Sequence, residues 1–132
     1  MKGLDTPLLV SLLRGESRGR RLVKKLGGEE LCTTVINGFE LEAVARADPP
    51  RGRDHRVAAI QRLRRKVALL GVDARAAEIA AQYAAKHPEV RTPSLNWLIL
   101  GALEANGCRE WYTTAESRFP TTSRSVRVTL VD

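Results

Sequence analysis

The spacing of apolar residues predicts alternating strands and helices along the whole chain. A short strand runs from Met1 to Leu4, and the leucines of TPLLVSLL then recur at helical spacing. A basic amphipathic segment follows, with Ser17 as its N-cap and Gly27 at its end. The run LCTTVI combines β-branched and apolar residues, which predicts a buried strand.

The alternation continues to the end of the sequence. NGFELEAVARA predicts a helix that ends at Asp48 before two prolines, and RDHRVAAIQRLRRK predicts another. VALLGVD predicts a strand, residues 74–86 an alanine-rich helix, and SLNWLILGALEANG the last helix. CREWYTT and SVRVTLV have the composition of strands. The apolar faces of NGFELEAVARA and SLNWLILGALEANG are expected to consist of Phe39, Leu41, Val44 and Ala45, and of Leu95, Leu98, Ile99, Ala102 and Leu103.

Strands separated by helices predict a mostly parallel sheet, because parallel neighbours need a long crossover and a helix usually supplies it. A chain of 132 residues has the size of one ordinary domain. We therefore expect a single α/β domain over residues 1–132, folded as a three-layer α/β/α sandwich.

Composition narrows the choice of partners and compartment. The net formal charge of +7 favours polyanions such as nucleic acid, but it equally describes an arginine-rich solvated surface. Cys32 and Cys108 lack the spacing of a zinc site or a disulfide framework, so both are expected to be buried free thiols. No apolar run has the length of a membrane span and no leader precedes the first strand, which favours a cytoplasmic protein.

Polar residues follow several of the predicted strands. Asp5 ends the first strand, Glu40 lies one turn into the helix after the second, Asn96 begins the last helix, and Glu116 follows CREWYTT. Ligands of parallel sheets collect at the carboxyl ends of the strands, where these residues would meet. Converging carboxylates repel each other unless a cation lies among them, and oxygen ligands suit Mg²⁺ or Mn²⁺.

Each of these residues also has a purely structural explanation. Asp5 and Asn96 are good N-cap residues for the helices that they precede or begin. Glu40 stands beside Glu42 and is equally typical of a solvent-facing helix position, while Glu116 is compatible with an ordinary loop charge. The metal interpretation therefore depends on the four residues occurring together.

The ordered set LDTPLLVSLLRGE, TTVINGFEL, SLNWLILGALEANG and TAESRF resembles the PIN domain, in particular the small single-domain VapC toxins. In this resemblance Asp5 matches the first acid, Thr6 the hydroxyl residue after it, and Glu40 the second acid. The family's terminal Thr-x-Asp-x-x-Phe motif falls on Thr114, Glu116 and Phe119.

The resemblance implies a metal-dependent endoribonuclease of a toxin–antitoxin pair, with Mg²⁺ or Mn²⁺ held by Asp5, Glu40, Asn96 and Glu116. It further implies an RNA substrate, an antitoxin partner and a homodimer. A basic cluster would then hold the RNA backbone, with a solvated face or an antitoxin contact as an equally good explanation. Its members are Arg14, Arg18, Arg20, Arg21, Lys24 and Lys25.

The sequence departs from the family pattern at two acids. Asn96 stands where the third acid is expected, and Glu116 stands where an Asp is usual. An amide oxygen can ligate a cation but brings no negative charge. A slow nuclease, a relative that binds RNA or a protein without cutting, and a deliberately inactivated variant are all compatible with this change. Glu104, two turns further along the helix, is expected to face away from Asn96.

Overall fold

The computed structural model describes residues 1–47 and 49–132, so the expected helix end at Asp48 lies outside the described residues. These residues form five strands and six α-helices, with a pair of helices after each of the first three strands. The strands are β1 (Lys2–Leu4), β2 (Leu31–Thr34), β3 (Val67–Leu70), β4 (Glu110–Thr113) and β5 (Arg127–Leu130). The helices are α1 (Thr6–Leu13), α2 (Ser17–Leu26), α3 (Val35–Arg46), α4 (Arg53–Arg64), α5 (Ala74–Lys86) and α6 (Ser94–Ala105).

The strands form one parallel sheet in the order β3-β2-β1-β4-β5. The chain starts in the middle of the sheet, builds outward through β2 and β3, and returns to place β4 on the other side of β1. The strand order therefore reverses its direction at β1, which is where a parallel sheet opens a crevice for ligands.

Two apolar cores cover the two faces of the sheet. One core packs α1 to α4 against residues such as Leu4 and Val67, and the other packs α5 and α6 against residues such as Cys32 and Trp111. The predicted three-layer α/β/α sandwich is therefore confirmed. Among the described residues, the helices are too short and too polar to cross a membrane.

Two glycines allow the close packing of the second core. A Cβ at Gly3 in β1 would come within 2.4 Å of the Trp111 ring, so the empty position lets Trp111 lie across the central strand. A Cβ at Gly101 in α6 would come within 2.2 Å of the Ala76 carbonyl oxygen, so α5 and α6 approach to backbone contact there.

Several local predictions are wrong. The strand predicted for LCTTVI ends at Thr34, because Val35 and Ile36 already belong to α3. Leu95, expected on the apolar face of α6, is 52% exposed.

Two further corrections concern α2 and α3. Ser17 is the first helical residue of α2 rather than its N-cap, because Glu16 has the extended backbone of a cap residue and precedes it. In α3, Leu41 and Ala45 are buried, but Phe39 is 70% exposed and Val44 is also exposed. The buried face of α3 includes Asn37 instead, a polar residue that the apolar spacing does not indicate.

Candidate active site

A cleft of about 520 Å³ lies at the carboxyl edge of the two central strands. Asp5, Glu40, Asn96 and Glu116 all line this cleft, although they come from four separate parts of the sequence. The fold thus brings together the four residues selected from the sequence, because β1 and β4 are neighbours and the segments that follow them open on the same edge.

Asp5 is 4% exposed and is held by three donors. Its Oδ1 accepts from the backbone N–H of Thr6 at 2.8 Å and from Asn37 Nδ2 at 3.0 Å, while its Oδ2 accepts from Thr113 Oγ1 at 2.5 Å. The first of these contacts makes Asp5 the N-cap of α1. The residue therefore has the structural role that the sequence suggested and also lines the cleft.

Glu40 is tied to Asp5 through two intermediate residues. Thr6 Oγ1 donates to Glu40 Oε1 at 2.9 Å and accepts from Asn37 Nδ2 at the same distance. These hydrogen bonds connect side chains of α1 and α3 and link the carboxylates of Asp5 and Glu40. Thr6, which the family resemblance marked as a supporting residue, lies at the centre of this network.

The sequence interpretation missed Asn37 and Thr113. Asn37 is fully buried, and its Oδ1 accepts from the backbone N–H and the hydroxyl of Thr34 at the start of α3. The Thr34-x-x-Asn37 spacing is that of a capping box, which was the available signal. Thr113 carried no signal of its own, because its contact with Asp5 depends on the pairing of β1 with β4.

Asn96 acts as a hydrogen-bond donor that holds the turn after β4. Its Nδ2 donates to the Ser117 carbonyl oxygen at 2.7 Å and to Thr92 Oγ1 at 3.1 Å. The Thr92 hydroxyl donates its own proton to the Arg118 carbonyl oxygen, so it can only accept the hydrogen bond from Asn96. Because both partners are acceptors, the orientation of the Asn96 amide is fixed. Asn96 is the third residue of α6 rather than its N-cap.

The turn that Asn96 holds carries Glu116. This exposed residue lies in a single 3₁₀ turn, Ala115–Ser117, which is followed by Arg118 in the left-handed conformation at φ 50°. The nearby Thr114 hydroxyl, the Glu116 backbone N–H and Arg18 lower the pKa of the Glu116 carboxyl. Phe119 then anchors the turn on Trp111, with ring centroids 5.5 Å apart.

Thr114 Oγ1 is buried and lacks a partner in full hydrogen-bond geometry among the described residues. An unsatisfied buried hydroxyl costs about 1–3 kcal/mol, so folds rarely keep one without a reason. It directly precedes the 3₁₀ turn of Glu116, at the edge where the cleft opens. Since the same hydroxyl lowers the pKa of the Glu116 carboxyl, its role is toward that carboxylate.

The basic cluster is divided between two surfaces. Arg14 and Arg18 line the cleft together with the four candidate residues. Arg18 also lines a neighbouring groove of about 360 Å³ with Arg21 and Lys25. Arg20 and Lys24 are exposed and line neither of them.

The chemistry of the candidate ligands in the cleft suits a hard divalent cation, since three carboxylates and one amide would each offer an oxygen atom. These side chains are not gathered around one point, however. Within residues 1–47 and 49–132, no three His, Cys, Asp or Glu side chains are close enough to hold a metal ion. Glu104 does not add to the set, because it accepts from Tyr83 at 2.8 Å on the other side of α6, as predicted.

Several solved structures have the same fold. FitAcB from Neisseria gonorrhoeae is 20% identical with a TM-score of 0.78, covering 97% of this chain and 96% of that one. VapBC2 from Rickettsia felis, bound to a promoter DNA fragment, is 11% identical with a TM-score of 0.77 and coverages of 99% and 98%. VapC20 from Mycobacterium tuberculosis, a toxin that cleaves the sarcin-ricin loop, is 19% identical with a TM-score of 0.68 and coverages of 96% and 99%.

A search among curated proteins finds no significant match to the sequence. The profile of the PIN domain matches residues 3–104, which is most of the chain and includes Asp5, Glu40 and Asn96. The arrangement of the sheet and the matched residues agree, and the chain belongs to the PIN domain family.

Proposed function

We propose that this protein is a metal-dependent endoribonuclease and the toxin of a toxin–antitoxin pair. The observation that carries the proposal is the convergence of Asp5, Glu40, Asn96 and Glu116 in one cleft that two arginines also line. Membership of the PIN domain family and the fold shared with VapC20, described as an RNA-cleaving toxin, support it.

The proposed metal ligands are Asp5, Glu40, Glu116 and the amide oxygen of Asn96. A bound Mg²⁺ or Mn²⁺ would supply an activated water and stabilise the leaving oxygen of a phosphodiester. The buried network of Asn37 and Thr113 holds the Asp5 carboxylate in one orientation. Glu116 is exposed with a lowered pKa, and so it stays ionised at neutral pH.

The basic residues would hold the RNA backbone. Arg14 and Arg18 line the cleft beside the carboxylates, so they can contact phosphates next to the bond that is cut. Arg18 also lies in the first turn of α2, where the helix dipole disfavours a cation by about 0.3–1 kcal/mol. Helix stability therefore does not explain its placement, whereas an anionic ligand would.

The proposal includes an antitoxin partner and a second copy of the chain. An apolar groove of about 500 Å³ between α1, α3 and α4 shares Val10 and Arg14 with the cleft, so an antitoxin segment could occupy both continuously. Val35 and Phe39 form an exposed apolar strip one turn apart on α3, which suits a homodimer contact. Such a single-domain ribonuclease would act in the cytoplasm, where its RNA substrate is.

The dimer proposal is tested by light scattering after size-exclusion chromatography. Phe39→Glu should convert a dimer to a monomer, because a charge would be buried in the contact. Leu130→Glu changes an equally exposed apolar residue on β5 and should leave the mass unchanged. A wild-type monomer would contradict this part of the proposal.

Asn96 favours a second candidate function, a PIN domain that binds RNA or a protein partner without cutting. The amide is one negative charge short of a full acidic set, and its nitrogen is already committed to Ser117. A cation would therefore be attracted less strongly than in a site with four carboxylates.

The two candidates are separated by an RNA cleavage assay with Mn²⁺ and a structured RNA. The proposed nuclease should cut with wild-type protein and lose the activity in Asp5→Asn. Asp73→Asn is the matched control, because Asp73 is likewise an N-cap whose Oδ1 accepts from Ala76 N–H at 2.9 Å, but on α5 and outside the cleft. Cleavage that persists in Asp5→Asn would refute the proposed site, and RNA binding without cleavage by the wild type would support the second candidate.

RNA binding itself is tested through its salt dependence with Arg18→Ala. Losing one phosphate contact should weaken binding and reduce the slope of log affinity against log salt by about 0.7 for a single strand. Arg20→Ala removes the same charge from the exposed side of α2 and should change the slope little. Equal effects of the two variants would show that only net charge matters.

A further inference from the structure

The two cysteines of the chain meet inside the second core. Cys32 Sγ and Cys108 Sγ are 3.5 Å apart, although 76 positions separate the residues in the sequence. Both thiols are free and buried, as predicted from the sequence, but nothing in their spacing indicated that they touch. Neither residue lines the cleft of the candidate active site.

The arrangement of the sheet creates this contact. Cys32 lies in β2 and Cys108 two residues before β4, and these strands flank β1 on opposite sides. The residue of β1 that pairs with Cys32 is Gly3. Gly3 itself contributes no side chain, and the Trp111 ring lies over it. A bond between the sulfurs needs an approach from 3.5 Å to about 2.05 Å.

The two thiols differ in their surroundings. Cys108 lines a cavity of about 410 Å³ whose walls include Arg109 and Arg124, whereas Cys32 is enclosed by the core. The neutral Cys108 thiol donates to the Glu110 carbonyl at 3.3 Å, which leaves Cys32 as the donor within the pair.

The pKa values of the pair follow the same asymmetry. A hydrogen bond from the Cys32 thiol lowers the pKa of Cys108, against the opposing effect of burial. The same contact and burial raise the pKa of Cys32. Cys108 is therefore the thiol of the pair that ionises first, while Cys32 retains its proton.

We propose that Cys32 and Cys108 are a peroxide-sensitive dithiol, with Cys108 as the residue that is oxidised first and Cys32 as the residue that closes a disulfide. The Cys108 thiolate attacks one oxygen of hydrogen peroxide, the O–O bond breaks, and a proton is taken up to give a sulfenic acid and water. The Cys32 sulfur then displaces hydroxide from the sulfenic acid and loses its proton, so a second water leaves and the S–S bond forms. Two thiols and one peroxide give one disulfide and two waters.

The test is intact mass after peroxide treatment of the reduced full chain, followed by denaturing alkylation of the remaining thiols. The wild type should lose two hydrogen masses and take up no alkyl group. Cys32→Ser should instead be labelled at Cys108 by dimedone, a reagent for sulfenic acids, and Cys108→Ser should keep its single thiol unmodified under the same dose. Each variant also loses one buried contact, so circular dichroism first checks that it is folded.

A second measurement does not depend on the variants. Peptide mapping of wild type treated with less than one equivalent of peroxide, in the presence of dimedone, should place the label on Cys108 rather than Cys32. The disulfide form should then unfold at a higher urea concentration than the reduced form, because the crosslink restricts the unfolded chain. Wild type that retains both alkylatable thiols, or labelling confined to Cys32, would overturn the proposal.

Discussion

Replacing Asn96 with Asp is the most informative single change, because it restores the acid that the family pattern expects and at the same time removes a donor from the turn. The amide nitrogen of Asn96 donates to the Ser117 carbonyl at 2.7 Å and to Thr92 at 3.1 Å. A carboxylate in the same position has no proton to donate. It would instead direct an oxygen toward the carbonyl that the amide now satisfies.

The size of the effect follows from these contacts. Two lost hydrogen bonds are worth about 1–3 kcal/mol together, at about 0.5–1.5 kcal/mol each. The new charge lies at the third residue of α6, where the helix dipole returns about 0.3–1 kcal/mol. We expect a net loss of about 1–2 kcal/mol in the free energy of unfolding without a divalent cation. Saturating Mn²⁺ at about 100 times its dissociation constant would add about 2.7 kcal/mol and reverse the loss.

The assay is urea denaturation of wild type and Asn96→Asp, with and without Mn²⁺. Asn106→Asp serves as a control at the C-cap of the same helix, because Asn106 Nδ2 also makes two hydrogen bonds, to the carbonyls of Gly71 at 3.0 Å and Ala102 at 2.8 Å. This variant should lose stability that Mn²⁺ does not restore. Isothermal titration of Mn²⁺ into both proteins measures the added affinity directly.

Two results would refute the reasoning in different places. If Asn96→Asp were as stable as wild type without Mn²⁺, the donor role assigned to the amide would be wrong. If the variant lost stability and Mn²⁺ failed to restore it, the donor role would stand, but Asn96 would not occupy a cation ligand position.

Three other changes have defined outcomes. Asn37→Ala should cost about 2–4 kcal/mol in urea denaturation and reduce cleavage, because it removes the α3 cap and one donor to Asp5; wild-type stability would contradict the network. Thr114→Val should lower cleavage and raise the pKa of Glu116 in a carboxyl NMR titration, because it removes the hydroxyl that favours the ionised carboxylate; an unchanged pKa would exclude the assigned cause. Gly101→Ala should cost about 1–3 kcal/mol, because its Cβ would meet backbone rather than a flexible side chain, and an unchanged midpoint would show that α5 and α6 can separate there.

Most of the fold was predictable because its signals are local. The bounds of α5 and α6 follow from caps, glycines and apolar spacing within a few residues, and the alternation of strands and helices fixes a parallel sheet. The strand order was not predictable, because apolar spacing does not say that β4 returns to the side of β1. Exposed Phe39 was assigned to the core for a related reason, since helical spacing identifies an apolar strip but not which strip faces the sheet.

The residues of the candidate site also differ in whether a local signal in the sequence marks them. Asp5 and Glu40 could be selected from their places after predicted strands, and Asn37 from its capping-box spacing. Thr113 and the contact between the cysteines could not be found, because both depend on which strands are neighbours. Long-range contacts of this kind carry no periodic signal along the chain.

Asn96 shows why a departure from a family pattern needs the structure before it is interpreted as damage. From the sequence, the residue is an acid that has lost its charge. In the fold, the same amide supplies a donor that a carboxylate lacks, and it satisfies a carbonyl in the turn that carries Glu116 and the left-handed Arg118. The amide therefore helps to position the turn that carries Glu116, which is a structural role that a carboxylate could not take over.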